Sequence, residues 1–130
     1  MEASKLSIIV VSGSAERLQM AAMVASVGAV SGSDVRVLLS MNALPLFRND
    51  SHEPAPAEGP FGAVMAGKKV PPFRTLLEQA VDLGDAKVHP CSMAMDVLAV
   101  ERDALLPWLA EPLGLTAFLH EARDGQLLSF

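Results

Sequence analysis

The sequence holds a single cysteine, Cys91, no tyrosine, one tryptophan and three histidines among its 130 residues. One cysteine closes no intrachain disulfide, so nothing asks for an oxidising compartment, and a lasting free thiol fits a reducing cytoplasm. His52, His89 and His120 follow no ligand-like spacing, and the reading is of no metal centre and no cofactor. Charge is scarce as well: 19% of residues are Asp, Glu, Lys or Arg, the net charge is −5 and the pI is near 5.0. The ten basic residues are scattered, which speaks against nucleic acid or an anionic membrane as partner. Leu6 to Val11 is too short for a secretory signal, and Met20 to Val30 falls short of the ~20 residues a spanning helix needs. Neither GxxxxGK nor GxGxxG is present, which removes the P-loop and dinucleotide fingerprints.

What is abundant is apolar surface, 51% hydrophobic residues with a mean hydropathy of +0.34. The length suits one domain, 1–130, with an ordinary core, and the excess apolar surface predicts a neighbouring subunit. Leu6 to Val11 is β-branched and apolar at nearly every position, as in a strand buried on both faces of a parallel sheet. Ser12-Gly13-Ser14 turns the chain into a helix from about Ala15 to Val30, with Ser14 a possible N-cap and the turn's N–H groups a possible anion cradle. That helix is apolar nearly all round: one face covers the sheet, and the opposite face calls for another subunit. A second strand over Val35 to Leu39 completes a right-handed parallel βαβ unit. Asn42, just beyond it, either faces the same crevice as Ser12 and Gly13 or caps a short helix over Ala43 to Phe47.

From Asn49 to Pro72 the chain is rich in proline and glycine and reads as a long loop or lid rather than a second domain. It carries His52 with Glu53, a weak acid/base or metal candidate, and the basic doublet Lys68-Lys69, which can draw an anion or simply face water. Phe73 to Leu83 has the spacing of an amphipathic helix stopped by Gly84. A third short strand at Lys87 to His89, a helical turn after Arg102, a helix over Gly114 to Arg123 and a closing strand at Leu127 to Phe130 follow. The order implies an α/β fold, three layers with a mainly parallel sheet of four or five strands.

Cys91 falls where the third strand gives way to a helix. Pro90 ends the strand by withholding a donor, Ser92 is the expected N-cap and Met93 the expected first helical residue, with Asp96 in or just past the first turn. A thiolate is favoured by the free N–H groups of a helix start, and open α/β sheets bind ligands outside the carboxyl ends of their strands. His89, two residues back, points to the same side in an extended backbone. The competing reading is a small buried apolar cysteine without chemistry.

The segment Lys5 to Gly13, the long helix, the second strand and Cys91-Ser92-Met93-Ala94-Met95-Asp96-Val97-Leu98, with the later Gly114-Leu115-Thr116-Ala117-Phe118-Leu119, resemble the DsrE/DsrF-like family across essentially the whole chain. The likeness is closest to the branch often labelled peroxiredoxin-like, and the proline-rich 49–72 stretch departs from it. The resemblance implies a DsrEFH-like, flavodoxin-like architecture, homo- or hetero-oligomers, and a cysteine carrying sulfur as a persulfide between donor and acceptor proteins. By position that cysteine is Cys91, with His89, Ser92, Ser12, Gly13 and Asn42 as possible supporting residues. Two alternatives stay open: a small-ligand or anion-binding module lined by Cys91, and a one-cysteine thiol redox protein. The latter lacks a resolving cysteine and any threonine-proline approach to the thiol.

Overall fold

Ile8, Val37 and Val88 stand side by side across three strands, all fully buried, which explains why each strand is apolar where it is. The computed structural model describes residues 4–130. Its sheet has four strands, β1 (Lys5–Val10), β2 (Asp34–Leu39), β3 (Lys87–Pro90) and β4 (Gln126–Ser129), all parallel and ordered β3-β2-β1-β4. β1 therefore lies inside the sheet, flanked by β2 and β4. The expected α/β class and the parallel sheet are the observed ones.

The five α-helices are α1 (Ala15–Val30), α2 (Pro60–Ala66), α3 (Phe73–Gly84), α4 (Ser92–Leu98) and α5 (Leu115–Ala122). α1 starts on Ser14, whose hydroxyl accepts from the Arg17 amide at 3.4 Å. Its inner face is made of small residues, Ala21, Ala22, Ala25 and Ala29, so the helix approaches the sheet closely. A Cβ on Gly28 would come within 2.8 Å of Leu6 Cδ2, and one on Gly84 within 2.5 Å of Ala29 Cβ, so the α1 contacts with β1 and α3 depend on missing side-chain atoms. α5 covers the other face, where Arg36 of β2 reaches Glu121 at 3.9 Å. Past the 3₁₀ turn Met41–Phe47, the buried Phe47 meets Phe73 edge-on at 5.7 Å and Trp108 at 6.3 Å.

The stretch expected to be a structureless loop contains α2. Glycine and proline conceal it in the sequence, and a distant carboxylate holds it: Glu16 of α1 accepts from the amides of Glu58, Gly59 and Gly62 at 2.7, 2.8 and 3.0 Å. Arg17 pairs with Glu58 at 2.7 Å, and Gln19 donates to the Pro71 carbonyl at 2.9 Å. Arg74 anchors the start of this 49–72 strap by donating to the carbonyls of Leu46 (2.7 Å) and Glu53 (3.0 Å).

Candidate functional site

The carboxyl ends of β1, β2 and β3 feed three turns that lock onto one another. Asn42 N–H donates to the Val11 carbonyl at 3.0 Å, Ser40 N–H to the Val10 carbonyl at 2.9 Å, and Cys91 N–H to the Leu39 carbonyl at 2.9 Å. A segment after the α4 region then returns along the outer side of β3. Leu113 N–H donates to the Pro90 carbonyl at 3.1 Å, Ser92 N–H donates to the Leu113 carbonyl at 2.9 Å, and Cys91 and Leu113 form a parallel bridge. Cys91 thus lies between Leu39 on one side and Leu113 on the other, and the residue is only 3% exposed. The strand pattern of the sequence has no means of announcing that crossing, because Leu113 is distant along the chain.

Cys91 itself, not Ser92, is the N-cap of α4, and helical backbone begins one residue earlier than expected. The shift follows from Leu113, which takes the Ser92 amide. Cys91 has the extended backbone of a cap (φ −73°, ψ 123°), yet its thiol makes no capping hydrogen bond. Among the described residues, the amides of Met93 and Ala94 have no hydrogen-bond acceptor. The position that Ser, Thr or Asp normally fills with an oxygen acceptor holds a sulfur, next to two unclaimed donors.

α4 forms a ridge with a cleft on each side. One, of about 210 Å³, is lined by Met41, Asn42, Met93, Ala94, Val97 and Leu98. The other, of about 400 Å³, is lined by Ser92, Asp96 and Glu101 among others. Cys91 lines neither, although its two following neighbours each line one. Met41 reaches this rim with a left-handed backbone, φ +50°, an unusual conformation for a side chain of its size. Nothing in the sequence marks it.

The supporting residues divide. Ser92 follows the thiol directly, and Asn42 joins α4 in the apolar cleft rather than capping the turn, whose N-cap position is Ser40. His89 is fully buried, its Nδ1 donates to the Glu111 carbonyl at 2.8 Å, and its Nε2 meets no partner, the thiol included. The carboxyl of Glu111 is held below the ordinary range, first by its own backbone N–H and then by the nearby basic side chains. Ser12 and Gly13 are committed to the fold. Ser12 N–H donates to the Phe130 carbonyl at 3.2 Å, its hydroxyl accepts from Ser14 N–H at 3.0 Å, and Gly13 packs on the Asn42 carbonyl so tightly that a Cβ would stand 2.6 Å from that oxygen. His52 and Lys68 lie on the α2 side of the molecule, in cavities separate from the two beside α4.

A parallel α/β sheet that sets its lone cysteine at the strand-to-helix junction defines the class to which the molecule belongs. The family model described as the DsrE/DsrF/DrsH-like family matches residues 56–130, more than half the chain and all of the Cys91 region, and the chain belongs to that family. Among solved structures, the protein of unknown function MTH1491 from Methanobacterium thermoautotrophicum superposes with a TM-score of 0.71 at 8% identity, covering 98% of this chain and 99% of the other. The ychN protein from E. coli gives 0.70 at 14% identity, covering 99% and 100%. Both share the fold over nearly their whole length. No curated protein sequence matches the chain.

Proposed function

We propose that this chain is a small cytoplasmic sulfur carrier, a sulfurtransferase in the broad sense, that assembles with copies of itself and exchanges sulfur with a donor and an acceptor protein through Cys91. The Cys91 thiolate attacks the outer sulfur of a donor persulfide; a Cys–S–S bond forms, the donor S–S bond breaks, and the donor leaves as a thiolate. An acceptor thiolate then takes the outer sulfur from Cys91, which returns to thiolate. Neither step needs a net oxidant or reductant.

The observation that supports this reading is the capping position of Cys91 without a capping bond, beside the open amides of Met93 and Ala94. An anionic sulfur fits those donors where a neutral thiol makes no use of them. Family membership adds the association with sulfur relay. With the residue 3% exposed, loading requires a local opening around Cys91, and the donor's approach supplies that step. That same burial favours the second reading, a ligand-binding module in which Cys91 is only lining.

Intact-mass spectrometry after incubation with a sulfane-sulfur donor separates the two. A reductant-reversible gain of one sulfur atom on the wild type, absent in Cys91→Ala, supports the carrier. Oxygen addition under dilute peroxide without sulfur loading supports a thiol redox protein, and no modification under either condition leaves the binding module.

A further inference from the structure

The outer face of α1 carries large apolar side chains at Met20, Met23, Val27 and Val30, the i, i+3, i+7, i+10 spacing of a helix-packing seam. This stripe runs opposite the alanine face that meets the sheet, and among the described residues no element covers its outer end: Val27 is 67% and Val30 71% exposed. Beside its first turns, α2 projects Phe61, 72% exposed, and Val64. Between α1 and α2 lies an apolar cavity of about 470 Å³, lined by Met20, Met23 and Met65 and by Phe61 and Val64 themselves. A largely exposed aromatic ring thus forms part of the wall of a hollow of matching chemistry.

We infer that this α1/α2 face is the surface on which a second copy of the chain seats, with Phe61 of one protomer entering the apolar cavity of its neighbour. Charge supports a like partner: from Gln19 to Ser33 the sequence has no ionisable side chain, so two copies of the stripe meet without repulsion. Arg17, Glu58 and Lys68 place both signs at the rim, which suits self-pairing better than a partner of one charge. Taking roughly 150–200 Å² for a large side chain left wholly in water, the six apolar residues expose roughly 550–700 Å², most of the ~800 Å² per partner that a stable interface removes. The placement deepens the self-assembly part of the proposal above and is independent of its sulfur chemistry.

The test is the mass of the full chain by sedimentation equilibrium, with reductant present so that Cys91 forms no interchain disulfide. Four chains are compared from low to high micromolar concentration: wild type, Val27→Asp, Phe61→Ala and, as a control on the exposed face of α4, Val97→Asp. The wild type is expected to associate. Val27→Asp should weaken association at least tenfold, and Phe61→Ala several-fold, both with unchanged circular dichroism, while Val97→Asp should associate as the wild type does. A monomeric wild type overturns self-assembly altogether. Association that survives Val27→Asp, or that Val97→Asp abolishes instead, overturns the placement while leaving self-assembly intact.

Discussion

Glu16 and Gly62 are locked together: the Gly62 amide donates to the Glu16 carboxylate at 3.0 Å, and a Cβ on Gly62 would fall 2.5 Å from that same carboxylate. Across more than forty residues of sequence, one side chain closes the first turn of α2 and fixes the strap to α1.

The clasp gives the strap an acid limit. Hydrogen bonding from the Glu58, Gly59 and Gly62 amides, with that of Glu58 largest, holds the Glu16 carboxyl below the ordinary glutamate range. A carboxyl depressed in the folded state contributes stability that is complete above its unfolded pKa and is lost as pH falls through the lower, folded one. Hydrogen exchange of residues 58–66 should therefore be slow at neutral pH and speed up under acid conditions before the sheet opens. In Glu16→Gln the exchange should be fast at neutral pH and its acid dependence should flatten.

Gly62→Ala should reproduce much of that loosening at neutral pH, because the added methyl displaces the carboxylate rather than a backbone atom. Limited proteolysis should cut faster within 55–66, while the thermal transition of the sheet moves little. Unchanged cleavage would remove the clasp from the account of α2.

Gly13→Ala meets backbone instead. Its Cβ would stand 2.6 Å from the Asn42 carbonyl oxygen, which is fixed by the β1 and β2 turns on either side. Overpacking of this kind costs about 1–3 kcal/mol, read as a lower midpoint in urea at unchanged slope.

His89→Leu tests whether the imidazole serves the thiol or the core. The ring is tied to the Glu111 carbonyl and its other nitrogen is buried without a partner. Sulfur loading of Cys91 should persist within about threefold, and stability should change by no more than about 2 kcal/mol, since a lost hydrogen bond is offset by removal of an unsatisfied acceptor. Complete loss of loading in a folded protein would return His89 to the chemistry.

Much of this architecture was legible in the residues. The βαβ unit and both ends of α1 follow from the apolar run before Ser12, the Ser14 cap and the stop around Gly32, all local signals. α3 was equally plain from its amphipathic spacing. α2 was hidden because seven residues in a Gly- and Pro-rich stretch owe their helix to Glu16, far upstream. Around Cys91 the junction was readable, whereas its depth and the one-residue shift of the cap depend on Leu113, whose return beside β3 leaves no mark in either segment.

The cover over Cys91 has a consequence for chemical fidelity. If Cys91 is the proposed nucleophile, its 3% exposure spares it casual encounters with peroxide, metals and stray electrophiles, since small reagents meet a buried thiol only during brief openings. On the sulfur-carrier proposal, admission would belong to molecules able to open the backbone bridge between Cys91 and Leu113. On that proposal, the enclosure would select its clients by shape before any bond is exchanged.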